Sequence, residues 1–407
     1  MKKTLLLSVV ASTMIMAGGD IAPVEPVVEA PVEVSGWEFG GQAVGYYQTR
    51  DSAANDLFDQ ESARANAGLQ LRAVNKDIAW GFGAGGEVSG VGTLGLENDV
   101  VSGVMQAGNL SETAGRGGWI SQAYLTYGIG NTTIKGGRQE LPKALSPFAF
   151  SEGWNVFKNT FDAVLVVNTD ITDTTIVGAW VEGGNVNGVG SDMSDYEKSN
   201  GGAGIYMLTV QNKSIENLAL TGTWYYGPST DSASTLDEDL NILWGDAKYA
   251  MNDFTIAGQI GTVMSDAFAD DTVAYGVKVA GNFGAWDGAL IYTGVDDGDA
   301  ALRNVGGVKT PLYSQLILNQ NVIRHDNDTF VAKVGVKALG GKFGAAFDWT
   351  DTNNDITGDY TEFDLTYKTK VFNDSTTLFA GYVYTDFDDV ADEDAQNMIR
   401  VWGRYNF

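Results

Sequence analysis

The chain has 407 residues, one histidine, no cysteine and a formal net charge of −27. That charge excludes a nucleic-acid partner, because phosphate recognition needs a basic face. The lone His325 and the missing thiols exclude a zinc site and a disulfide framework.

Residues 1–17, MKKTLLLSVVASTMIMA, read as a secretory signal. Two lysines precede an apolar run from Leu5 to Ala17, cleavage is expected after Ala17, and the run is too short to cross a bilayer as a helix. Residues 18–35, with Pro23, Pro26 and Pro31 between Glu25, Glu29 and Glu33, read as an extended acidic periplasmic tether. From Trp37 onward the hydrophobic period becomes two, and 36–407 reads as one all-β domain. Eighteen strands are predicted, at 36–50, 64–75, 79–90, 118–129, 132–139, 160–168, 174–183, 201–211 and 216–226, then 239–250, 253–263, 272–283, 285–294, 328–339, 342–350, 359–371, 375–386 and 396–407. Each has roughly the length that a tilted strand needs to cross a bilayer. Segment 312–319, LYSQLILN, is left inside a loop because counting it as a strand breaks the alternation described next.

Connections after even-numbered strands are tight, such as NKD (75–77), GN (130–131), FGA (283–285) and GG (340–341); those after odd-numbered strands are long. Such sorting by parity marks a transmembrane antiparallel β-barrel with short periplasmic turns and long outer loops. Charge sorts the same way: the nine long loops hold 29 acidic residues against 7 basic ones, and the wall with its turns holds 19 against 16. An acidic mouth over a near-neutral wall is therefore expected.

Alternation separates two faces. Phe363, Leu365 and Tyr367 oppose Glu362, Asp364, Lys368 and Lys370; Phe330, Val334 and Val336 oppose Lys333 and Lys337. Eighteen strands enclose a lumen too wide for side chains to fill, so the apolar faces are assigned to lipid. Trp37, Trp119, Trp286, Trp349, Tyr367 and Tyr405 near strand ends read as interfacial girdles. The lumen set is then Arg50, Arg64, Arg72, Lys135, Lys278, Lys333, Lys337, Lys368, Lys370, Arg400 and Arg404, facing Glu362 and Asp364 with Glu38, Glu87 and Asp348. Arg138 shares parity with Ile134, which puts it at the rim or requires a bulge.

The stretch 120–183, with AYLTY at 123–127 and GGRQ at 136–139 leading into a loop, resembles the epsilonproteobacterial major outer membrane porins, relatives of the OprD-type porins. The resemblance implies an eighteen-strand homotrimer in the bacterial outer membrane, with the third outer loop folded into the channel and calcium bound in some members. That loop maps onto about 140–160, with charges Glu140, Lys143, Glu152 and Lys158, and with Phe148, Phe150, Trp154 and Phe157 as packing anchors. Phe407 is the kind of aromatic ending that outer-membrane barrel assembly machinery recognises, and the surrounding partners are outer-membrane lipid and lipopolysaccharide.

Other chemistry is sparse. DTNNDITGD begins like a calcium loop, making Asp351, Asn353 and Asp355 candidate ligands, but its glycine falls at the eighth position rather than the sixth and no glutamate follows at the twelfth. GFGAGGEVSG (81–90) lacks the lysine of a phosphate-binding loop, and His325 offers no partner geometry for a lipase, so no enzyme is expected. Three functions stay open: passive diffusion of ions and small hydrophilic solutes with weak cation preference, a substrate-selective channel of the same fold, and a surface adhesin or structural barrel.

Overall fold

The computed structural model describes residues 36–52, 54–230, 238–353, 358–388 and 395–407. The signal, the tether and Asp355 lie outside these residues. Eighteen strands follow one another in chain order: β1 Glu38–Arg50, β2 Ala63–Ala79, β3 Phe82–Gly92, β4 Gly117–Ile129, β5 Thr132–Gln139, β6 Phe161–Asn168, β7 Thr174–Gly184, β8 Ile205–Asn212 and β9 Leu218–Gly227. The second half comprises β10 Leu240–Met251, β11 Phe254–Ser265, β12 Thr272–Phe283, β13 Trp286–Val295, β14 Asn327–Ala338, β15 Gly341–Asp351, β16 Tyr360–Val371, β17 Thr376–Phe387 and β18 Gln396–Asn406.

Every neighbour pairs antiparallel, and β1 pairs with β18 from Gln42↔Asn406 to Arg50↔Met398, so the sheet closes on itself and leaves no edge. Phe407 extends the seam, exchanging backbone hydrogen bonds with Gly41 at 2.8 and 3.1 Å.

The alternation is inside-out relative to a soluble barrel. Outward positions carry Leu125, Ile260 and Leu290, each more than 60% exposed, whereas the inward Asp348 and Glu362 are fully buried. An apolar exterior over a polar interior is the arrangement that a hydrocarbon solvent selects.

Three local irregularities interrupt strict parity, one of them at Glu182 between the pairs Asp162↔Gly183 and Ala163↔Val181. A bulge places Ser121 between the pairs Glu87↔Gln122 and Val88↔Ile120, which turns Trp119 into the lumen. It is buried there against Phe157, so its assignment to a lipid-facing girdle is wrong. The third irregularity lies between Asn75 and Ala79. The β2–β3 turn falls at Trp80–Gly81 and not at NKD (75–77), and both turn residues take positive φ, 53° and 82°. A two-residue turn of this twist needs left-handed backbone at both positions; Gly81 supplies it freely and Trp80 adopts it against preference.

The long connections are loop 1 (51–62), loop 2 (93–116), loop 3 (140–160), loop 4 (185–204), loop 5 (228–239), loop 6 (266–271), loop 7 (296–326), loop 8 (352–359) and loop 9 (388–395). Loops 2, 3, 4 and 7 fold inward. Segment 312–319 contains no strand; its Leu312, Leu316 and Ile317 are buried within loop 7.

Candidate functional site: the loop-narrowed lumen

Loop 3 crosses the lumen. At one end Phe148 stands edge-on to Tyr225 and Trp244, with ring centroids 5.9 and 5.2 Å away, and its amide donates to the Tyr225 hydroxyl at 3.1 Å. At the other end Phe157 lies against Trp119, and Gly68 on β2 makes room for it, since a Cβ there would sit 2.8 Å from the ring. The carbonyls of Trp154 and Val156 accept from the Tyr46 hydroxyl at 3.2 Å and from Arg404 at 2.9 Å.

Side-chain amides knot this loop to its neighbours. Gln106 of loop 2 both donates to the Phe157 carbonyl (2.7 Å) and accepts from the Phe157 amide (2.8 Å), and it also donates to Asn187 of loop 4. Asn155 donates to the carbonyls of Met105 and Gly188, and Asn185 accepts from the Thr160 amide. All four amides are buried, and such groups remain inside only when hydrogen-bonded. A two-residue parallel bridge, Gln106–Ala107 with Ser191–Asp192, ties loop 2 to loop 4.

Loop 7 lines the opposite wall. Leu316 packs on Ala280, Ala289, Ile291, Val331 and Ala346, and Ile317 packs on Val383 and Met398. The amides of Ile317 and Leu318 donate to Glu362 at 3.0 and 2.8 Å, Asn319 donates to Asp348, and the Tyr313 hydroxyl donates to Asp246. Loops 3 and 7 meet where Asn304 bonds the backbone of Phe150 at both ends, at 2.8 Å each.

The sequence-predicted lumen residues all have inward parity, but they fall into two groups. Lys333, Glu362, Asp364 and Arg400 are buried under the loops: Lys333 donates to the Gln315 carbonyl, and Arg400 donates to Gln48 and lies 5.3 Å from the Trp154 ring centroid. Arg50, Arg64, Arg72, Lys337 and Lys370 are exposed, and Lys135, Lys278, Lys368 and Arg404 are partly exposed. Lys135 lies over the Tyr124 ring at 3.7 Å, and Lys368 and Arg404 lie within 6 Å of the Trp402 ring. Of the loop 3 charges, Glu140 and Lys158 pair at 2.5 Å, Lys143 donates to the Thr310 carbonyl, and Glu152 is fully buried, out of contact with a solute.

Sequence reasoning missed Lys342. It stands opposite Lys337 on one side and Lys368 on the other, which makes a row of three cations across β14, β15 and β16, and it pairs with Asp287 at 2.6 Å. Its parity was the available signal; its position immediately after the GG turn hid it. Strands β6 to β9 carry no charged residue at their inward positions Leu165, Val167, Val177, Ala179, Thr209, Gln211, Thr221 and Thr223.

Arg138 sits on the outward side at the rim. It forks onto Asp162 through two 2.8 Å bonds and lies 3.3 Å beneath the Tyr196 ring centroid. Burial pushes the Tyr196 phenol up, opposed by the Thr160 hydroxyl and by Arg138 itself. Of the calcium candidates, Asn353 donates its side-chain amide to Asp326 at 2.9 Å and bonds Asp351 through its backbone. Among the described residues no group of three metal-ligating side chains converges.

No family model and no curated protein matches the chain. Solved structures do. OccK1 (OpdK) of Pseudomonas aeruginosa superposes with a TM-score of 0.72 at 12% identity, over 91% of this chain and 98% of that one. OccAB4 of Acinetobacter baumannii gives 0.71 at 11% identity over 93% and 100%, and OccK8 (OprE) of Pseudomonas aeruginosa gives 0.69 at 12% over 91% and 98%. The chain is an eighteen-strand closed antiparallel β-barrel with the fold of the OprD/Occ porins.

Proposed function

We propose that the chain is a porin of the bacterial outer membrane, a water-filled channel for passive diffusion of ions and small hydrophilic solutes, and not an enzyme. The observation that carries this reading is the closed barrel with an apolar exterior and a charged interior partly open to water. The acidic loops concentrate cations at the mouth, which supports weak cation preference.

A second reading, a substrate-selective channel, is favoured by the wall. Its acids Asp348, Glu362 and Asp364 are buried, while its accessible groups include Lys337 and Lys368, which flank the Lys342–Asp287 pair, and strands β6 to β9 carry no inward charge. That asymmetry orients a solute across the lumen and favours anions.

Planar-bilayer recording with reversal potentials in a salt gradient separates these readings. Cation preference supports the mouth-controlled diffusion pore, and anion preference with saturable, blockable flux supports the selective channel. Absence of current from folded protein refutes both and leaves an adhesin or structural barrel. The likeness of 120–183 to epsilonproteobacterial porins supports the homotrimer, the contacts with lipopolysaccharide and the recognition of Phe407 by assembly machinery as parts of the same proposal. Calcium at Asp351, Asn353 and Asp355 belongs to it as well, and calorimetric titration with the metal tests it.

A further inference from the structure

Glu152 is a fully buried carboxylate in loop 3, and every group donating a hydrogen bond to it is neutral. Oε1 accepts from the Asn304 side chain at 2.9 Å and from the Lys309 amide at 2.8 Å. Oε2 accepts from the Trp154 indole at 2.8 Å and from the Val308 amide at 3.2 Å. Three of the four donors belong to loop 7, where residues 304–309 form a tight turn closed by the Asn304 amide on the Lys309 carbonyl at 2.9 Å. Successive amides in such a turn make a concave anion site. Gly307 completes it: a Cβ there would lie 2.0 Å from Oε1, so any other residue evicts the carboxylate. On the loop 3 side the Glu152 amide donates to Asn159 at 2.7 Å, and its carbonyl accepts from Asn187 at 2.8 Å. Both ends of the residue are therefore fixed.

We propose that Glu152 is a positioning residue for the channel aperture, whose buried carboxylate clips loop 3 into the 304–309 turn of loop 7 so that the two loops narrow the lumen as one body. The proposal rests on the porin reading for its consequence, though not for the clip itself. Two oxygens with two donors each demand a carboxylate, because glutamine offers one oxygen and points its own amide hydrogens at the remaining donors. The same contact orients Trp154, which covers Arg400.

Two variants of the full chain, Glu152→Gln and Gly307→Ala, separate the clip from a charge effect, since the second keeps the carboxylate and removes its seat. Hydrogen exchange of the peptide containing Val308 and Lys309, followed by mass spectrometry in detergent, should quicken about tenfold in both, as expected when charge-assisted bonds that hold a loop are lost. Single-channel conductance should rise by about half in both, with unchanged reversal potential, because the aperture widens while the wall charges stay in place. Unchanged exchange in both variants overturns the clip. A shifted reversal potential in Glu152→Gln alone, at wild-type conductance, also overturns it and makes Glu152 a field-setting charge. If the wild type carries no current, the porin reading fails while the exchange measurement still decides the clip.

Discussion

The two ends of the lumen use the same residue types for opposite purposes. Under the loops, Glu152, Asp348, Glu362 and Arg400 are buried, and each holds a loop or a wall residue through hydrogen bonds. Toward the turns, Lys337, Lys370 and Arg72 project from the wall into exposed space. A buried charge is costly unless its bonds are made, so the first group is structural in the sense that losing one partner strands the other. An exposed charge costs little and acts through its field. On the proposed porin reading, the difference divides the lumen into a part that sets the width of the path and a part that sets its electrostatics.

The sharpest break is expected at Leu316. Its side chain is fully buried between loop 7 and the alanine-rich floor of β12 to β15. Leu316→Asp places an unpaired carboxylate there, at a cost of about 3 kcal/mol or more. Loop 7 should lift from the wall while the barrel stays closed. Limited proteolysis should cut within 296–326 in the variant and not in the wild type, and conductance should rise. A protease-resistant loop 7 at wild-type conductance refutes the division at its structural end.

A smaller effect is expected from the exposed end. The double variant Lys337→Glu and Lys368→Glu reverses the two outer members of the row that spans β14 to β16 and leaves the Lys342–Asp287 pair in place. Its reversal potential should move toward cations, with a larger shift at low salt than at 1 M, because the Debye length falls from about 30 Å at 0.01 M to about 3 Å at 1 M. Proteolysis of loop 7 should not change. Equal shifts at both salt concentrations would mean that the two lysines act through loop structure.

The strands and their faces were legible because lipid imposes a period of two on every outward residue, and Phe330, Val334 and Val336 obey it without exception. Trp119 was misread because a bulge leaves no mark in a single sequence; Ser121 resembles any other small inward residue. The β2–β3 turn was misplaced because Asn, Lys and Asp are better turn formers than Trp80, and strand pairing overrode that preference. The infolding of loop 7 did leave a signal. Leucines at 312, 316 and 318 with Ile317 are too apolar for a loop solvated at an acidic rim, and Gly306–Gly307 marks a close approach. What could not be read is the partner of Glu152, because it lies more than 150 residues away in the chain and its seat is made of backbone amides.

The smallest effect is expected at a pair that belongs to neither part. Arg138 and Asp162 face outward at the rim, with side chains 24% and 31% accessible, and the guanidinium is sandwiched against Tyr196. Partial exposure screens the pair, so a double-mutant cycle with Arg138→Lys and Asp162→Asn should give a coupling of about 1 kcal/mol or less. Lysine cannot reproduce the two-bond fork or the flat stacking on the ring, so most of the loss should already be present in Arg138→Lys. Thermal unfolding in detergent reads the coupling, and bilayer recording supplies the comparison with the lumen. Because both side chains lie outside the barrel wall, conductance and reversal potential should match the wild type even where the melting temperature falls. A reversal potential that moves with Arg138→Lys would place this guanidinium inside the channel, and with it the parity of β5 and the separation of width-setting from field-setting charges.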